Sequence, residues 1–276
     1  MDTSVNVPHR ASWHRRLSSP AVWLLLGVHA LLSVNSRPAL GWSTGAPPAE
    51  GSTMVTGAQV AETRLGMAYA SGLVPPFRAA DRNRWASEVA GRWSPSEAVR
   101  VSARWSWLQD STSNGDITRG PGDLVLQTTA FPVRGGPVEV GLSWAVKLPN
   151  AQDEGELGTD ETDATITGVL AGSQGSLDWS TTAGLAILGN PLRFANQDDV
   201  PLAWAAAGLP VGPVRLGARA GGELATARNP ARMEAALGAE TVCPTLSGLE
   251  ASAGLTPAAA DWSVRAWVGW GAGCER

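Results

Sequence analysis

Near the C-terminus the chain reads DWSVRAWVGW, residues 261–270. Trp262, Val264, Ala266, Val268 and Trp270 fall on every second position, with Ser263, Arg265, Trp267 and Gly269 between them. Period two is one face of a β-strand, so this stretch has an apolar side and a polar side. A tilted strand of this length spans about 20 Å, close to the apolar band of an outer-membrane strand. A tryptophan at each end fits the aromatic belts at the two water interfaces. A half-buried soluble strand has the same alternation, so the rest of the chain must choose.

The alternation recurs. Twelve strand-like segments follow one another at roughly 57–70, 83–93, 97–108, 122–132, 137–148, 162–172, 176–188, 200–208, 213–225, 231–241, 245–255 and 260–271. Residues 137–148 set Val138, Val140, Leu142, Trp144, Val146 and Leu148 against Glu139, Gly141, Ser143, Ala145 and Lys147. Residues 83–93 again carry tryptophans near both ends, Trp85 and Trp93. The alternation is clean in many segments and poor in 162–172. No helical period is sustained, and no segment after residue 41 has the eighteen apolar residues of a membrane-spanning helix.

Three features separate an inward from an outward apolar face. The segments cluster near ten residues, the length of a tilted bilayer crossing. The joins alternate: 71–82, 109–121, 149–161 and 189–199 are long, whereas 94–96, 133–136, 173–175, 209–212 and 242–244 are short; only the last two joins on the long side, about 226–230 and 256–259, are short as well. Outer-membrane barrels have short periplasmic turns, longer external loops and an even strand number. The polar faces mix charge with Gly, Ser and Ala, as a wet lumen would. A closed barrel also satisfies every backbone hydrogen bond in lipid. The expected fold is all-β, an antiparallel up-and-down transmembrane barrel of about twelve strands.

The N-terminus reads as an export signal, with Arg10, Arg15 and Arg16 before the apolar run Ala21–Val34 and a small-residue cleavage site at Ala39-Leu40-Gly41. The expected organisation is a signal peptide over 1–41, a flexible Pro/Gly/Ser/Thr-rich leader over 42–56 and the barrel over 57–276. Residues 1–41 hold four arginines against Asp2, so cleavage takes the formal net charge from −4 to −7. Nothing in that balance suits nucleic acid. Cleavage also removes His9, His14 and His29, the only histidines. Ser111, Ser113 and Asn114 in the stretch DSTSNGD then lack the ordinary base that activates a serine, and no enzyme activity or cofactor is expected. Cys243 and Cys274 fall at the periplasmic end in this register, as a disulfide pair or as two separate thiols.

The run GDLVLQTTAFP (122–132), then GLSWAVKLPN (141–150), then LGTDETD (157–163) resembles the outer-membrane transporter family grouped as putative MetA-pathway of phenol degradation proteins. A Gly-Asp-Leu strand start, a Lys-Leu-Pro strand end and a Gly-Thr-x-x-x-Asp loop recur there in this order. The likeness covers about 120–276. It implies an outer-membrane barrel that passes small hydrophobic or aromatic molecules, and it brings no catalytic residue. The family's C-terminal aromatic is absent, since Gly-Ala-Gly-Cys-Glu-Arg follows Trp270.

Two constellations are candidate sites. AQDEGELGTDETD (151–163) groups Asp153, Glu154, Glu156, Asp160, Glu161 and Asp163 in one expected external loop. Such a loop can hold a divalent cation through oxygen ligands, fold inward as a cation-favouring constriction, or be a solvated charge run. The second is the polar face, which in a barrel turns Glu62, Arg64, Glu88, Arg92, Arg100, Arg104, Glu139, Lys147, Asp178, Arg215, Arg219, Glu223, Glu234, Glu250 and Arg265 into the lumen. These charges either pair across strands and fill a narrow barrel or line a selective path for solute. The expected partners are outer-membrane lipid and a small-molecule solute.

Overall fold

The structure is a computed structural model. It describes residues 60–73, 82–151, 157, 162–189, 199–226, 230–241 and 245–272. Among these there is no helix; the strands are β1 (Val60–Leu73), β2 (Arg82–Ser96), β3 (Val99–Thr112), β4 (Ile117–Pro121), β5 (Leu124–Val133), β6 (Val138–Leu148), β7 (Asp163–Gln174), β8 (Leu177–Ile187), β9 (Asp199–Val211), β10 (Val214–Glu223), β11 (Arg232–Thr241), β12 (Thr245–Gly254) and β13 (Trp262–Ala272).

Apart from β4 and β5, sequence-neighbouring strands pair antiparallel, and β1 closes the ring by pairing with β13 from Ala61↔Ala272 to Ser71↔Trp262. The thirteen strands occupy twelve positions. β3 is long enough to pair with both β4 and β5, which form one wall position broken at Gly122-Asp123. The register changes by one residue across the break, from Trp107↔Pro121 to Arg104↔Val125. Closure removes the sheet edges, so the ring pairs its own backbone.

The two ends differ as the sequence suggests. Glu97-Ala98, Gly175-Ser176 and Gly212-Pro213 are two-residue turns at one end. Gly175 and Gly212 take φ of 63° and 60°, a left-handed conformation that tight hairpins need and L side chains disfavour. At the other end the expected long join at 109–121 is mostly strand. β3 runs on to Thr112 and β4 returns from Ile117, so this join is a projecting hairpin with a short tip. Period-two alternation weakens there, which hid the strand. The poorly alternating 162–172 is a full strand, β7, with Thr165, Thr167, Val169 and Ala171 buried and Ile166 and Leu170 exposed.

The apolar stripes face outward. Leu142 and Trp144 in β6, Leu65 and Met67 in β1, and Trp262, Val268 and Trp270 in β13 are exposed, while Gly141, Ser143, Ala145 and Ser263 between them are buried. A soluble barrel would turn these stripes inward. Near the long-loop end the Tyr69 ring packs, tilted, between Trp85 and Trp262, with centroids 4.8 and 5.2 Å away. Trp93 and Trp270 stand exposed toward the other end. Trp85 and Trp262 therefore lie on the outer surface toward one end of the barrel, and Trp93 and Trp270 toward the other.

Candidate functional site

The inner face is built by the residues between those stripes. Twelve expected lumen residues lie there: Glu62, Arg64, Glu88, Arg92, Arg100, Arg104, Glu139, Lys147, Arg215, Arg219, Glu223 and Arg265 are all buried or half-buried on the side opposite the exposed apolar face. Asp178, Glu234 and Glu250 join them. Most meet an opposite charge. Arg219 reaches Glu234 on the adjacent β11 at 2.7 Å and takes Glu250 on β12 with both Nε and Nη2, at 3.0 and 2.9 Å. Such a fork is the strongest geometry an arginine has for a carboxylate. Arg215 meets Asp178 at 2.7 Å across two strands. Arg64 bonds Glu62 and approaches Glu240 at 3.6 Å, and Arg92 approaches Glu62 at 3.7 Å. Arg265 and Glu88 stand 4.0 Å apart, a charge contact beyond hydrogen-bond reach. Glu223 is opposite Arg232 in the β10–β11 register.

Rings pack against this network. The Arg219 guanidinium lies 5.0 Å from the Trp204 ring centroid, Arg100 lies 4.8 Å from Phe131, and Arg64 lies 5.7 Å from Trp267. Gly248 makes room for the last of these, since a Cβ there would sit 2.2 Å from the Trp267 ring. Between the charged rows is a cavity of about 150 Å³ lined by Arg64, Glu88, Arg104, Arg215, Arg219, Glu240, Glu250, Arg265 and Trp267. Its small neighbours Gly66, Ala90, Ala206, Gly208, Gly217, Ala236 and Gly238 leave the space open.

The long-loop end of the interior differs from the sequence expectation. Arg84 and Asp110 form a two-bond ion pair with Arg82 at 3.8 Å, and Asp110 is 1% exposed. Arg82 and Asp110 fall in the expected joins 71–82 and 109–121, and Arg84 is not among the expected lumen residues. Extending the period-two rows Glu88–Arg92 and Arg100–Arg104 outward would have found all three, and the same parity from Glu234 finds Glu240. Below this pair, Ala68, Ala86 and Leu108 from β1–β3 pack with Ala151 and Leu157 from the connection after β6. Leu157 is 2% exposed, so part of that connection enters the barrel. The inner face of β9 is apolar rather than charged: Val200, Leu202 and Trp204 cluster with Ala186 and Leu188.

The acidic run divides. Asp153, Glu154, Glu156, Asp160 and Glu161 lie outside the described residues, as do Cys243 and Cys274. Asp163 is not a loop carboxylate. It opens β7, is 5% exposed, meets Lys147 at 2.6 Å and accepts the Gly189 backbone N–H at 2.8 Å. Lys147 also approaches Asp123 at 3.5 Å, and Asp123 accepts the backbone N–H groups of Asn150 and Ala151 at 3.1 and 3.2 Å. The three short motifs of 122–163 thus meet in one cluster, Asp123–Lys147–Asp163, that ties the β4–β5 break to the ends of β6 and β7. Among the described residues, no group of three or more His, Cys, Asp or Glu is placed to hold a metal ion.

No family model and no curated protein matches the sequence, so the likeness in 122–163 remains one of motifs. Solved structures do match. An outer membrane channel from Pseudomonas putida F1 is similar with a TM-score of 0.59 at 10% identity, over 83% of this chain and 100% of that one. The translocator domain of autotransporter NalP from Neisseria meningitidis gives 0.47 at 15% identity, over 78% and 88%. Outer membrane phospholipase A from Escherichia coli gives 0.37 at 11% identity, over 76% and 95%. The fold is that of a closed outer-membrane β-barrel.

Proposed function

We propose that this chain is an outer-membrane channel for the passive passage of small molecules, hydrophobic or aromatic ones among them. The carrying observation is the division of its faces: apolar and tryptophan-edged outside, charged around a cavity inside. The outside suits lipid as a partner and the outer membrane as the location after export. The inside supplies electrostatic positions for a solute in transit and needs no energy input. The reading is non-enzymatic, because the chain beyond residue 41 has no histidine and the inner charges are engaged with one another. Single-channel recording in a planar bilayer tests it. Purified, refolded protein is expected to give stepwise conductance.

A second reading, a plugged barrel acting through its external loops, is favoured by Leu157 and Ala151 inside the long-loop end and by the paired inner charges. Silent bilayers with insertion verified by protease protection would establish that reading and end the first.

A further inference from the structure

We propose that the outer face of β2, β3 and β4 near the long-loop end is a docking site for a phosphate-bearing lipid of the external leaflet. The inference goes beyond the channel reading and rests only on its membrane-barrel part.

The strand-borne cations follow one rule with one exception. Among the described residues, every Lys or Arg within a strand other than Arg119 lies on the inner face. Arg119 in β4 stands opposite Gln109 in β3, Gln109 opposite Trp85 in β2, and Trp85 opposite Tyr69 in β1. Directly opposed residues share one face of a sheet. The guanidinium is therefore on the exposed, tryptophan-bearing side, while Leu108 and Asp110, which flank Gln109, are buried on the other. Arg119 Nε donates to Gln109 Oε1 at 2.7 Å. Among the described residues, no carboxylate pairs with it. One edge of the guanidinium is thus held by the amide, and its two terminal nitrogens are left to donate to an anion.

The surroundings decide what carries that anion. Toward the hairpin tip the same face is polar and uncharged: Ser71 Oγ donates to Asn83 Oδ1 at 2.9 Å, and Ser111 stands opposite Asn83. At the level of Arg119 come the rings of Trp85 and Tyr69. Toward the middle of the barrel, Trp107 and Met67 are exposed. Amide and hydroxyl, then a cation beside rings, then apolar side chains is the order of headgroup, interface and hydrocarbon in a bilayer. Arginine suits the middle layer, since its stem lies along apolar surface while its charge stays at the polar edge. A phosphate accepts two parallel N–H···O bonds from a guanidinium, and an anionic membrane surface attracts each basic side chain placed at it. A free phosphate gains nothing from Trp107 and Met67, whereas the chains of a lipid lie against them.

Native mass spectrometry of the folded protein in detergent micelles counts bound lipids directly. The probes are diphosphorylated lipid A, the same lipid after enzymatic dephosphorylation, and inorganic phosphate. Lipid A is expected to bind about fivefold more tightly than its dephosphorylated form, the attraction of one cation at an anionic surface. Arg119→Ala should remove that margin and Arg119→Lys should keep part of it. Gln109→Leu keeps the charge, loses the bond that orients it, and should reduce the margin. Arg134→Ala, in a turn at the opposite end, should leave it unchanged. Heat-modified gel mobility shows which variants fold, and Gln109→Leu carries the test where Arg119→Ala does not.

Equal binding of the two lipids, a margin that survives in every folded Arg119 and Gln109 variant, or inorganic phosphate taking the place of lipid A at equal concentration overturns the site. Conductance of the same preparation is scored separately. A conducting barrel with no phosphate preference sinks the site and spares the channel. A silent barrel with that preference spares the site and sinks the channel.

Discussion

Arg219 shows what the inner charges do one residue at a time. It is 9% exposed, with Glu234 on one side, Glu250 in a fork on the other and the Trp204 ring against its plane. Removing one partner from a buried pair costs about 3–5 kcal/mol, because a desolvated charge is left behind. Here two carboxylates would be stranded, so Arg219→Ala is expected to cost at least about 3 kcal/mol in denaturant unfolding. Arg134 is the contrast. Its hydrogen-bond partner Glu97 is 55% exposed in a turn, its second contact, Glu139, stands 3.5 Å away, and Arg134→Ala should cost about 1 kcal/mol or less. Similar losses in both variants would show that the inner network is as solvated as the surface. At this scale the sequence was informative about side but not about partner. Parity placed Arg215 and Arg219 on the inner face, yet their contacts with Asp178 on β8 and Glu250 on β12 cross strands that no local pattern connects.

The strands answer a different question, which medium covers them. Leu142 lies near the middle of β6, 49% exposed between Val140 and Trp144 on the outer face. An arginine at the bilayer midplane of a barrel strand costs about 2–4 kcal/mol. Leu142→Arg is therefore expected to lose that much in lipid vesicles, measured by urea titration of folded barrel. No loss would mean that water, not hydrocarbon, covers β6. Strand existence was well marked by alternation. Strand ends were not: β2 begins at Arg82 and β3 runs to Thr112, beyond the apolar stripe. Past the apolar band a strand no longer needs hydrophobic residues on its outer face, so the periodic signal fades before the hydrogen bonds do. The break between β4 and β5 was hidden for another reason. Gly122-Asp123 reads as a strand start, and only the longer β3 reveals that a second piece of the same wall precedes it.

The whole barrel balances its charges around a cavity, and two of them report on the path. Arg100 and Arg104 repeat on the inner face of β3, with Arg104 in the cavity wall and Arg100 over Phe131. Replacing both by Ala is expected to shift the reversal potential in a salt gradient toward cation selectivity, because the lumen loses two positive charges. An unchanged potential with reduced unfolding stability would assign these arginines to holding the wall.

The fold class, the strand positions and the two faces followed from the sequence alone, since period-two alternation and turn chemistry are local and set by each segment's own residues. The interior required the tertiary structure. Which arginine meets which carboxylate and the entry of Leu157 into the barrel depend on strands set side by side and curled into a ring, and the capture of Asp163 by Lys147 depends on the β6–β7 register. Ring closure turns twelve separate inner faces into one lumen, and the contacts across it carry no trace in the spacing along any single strand.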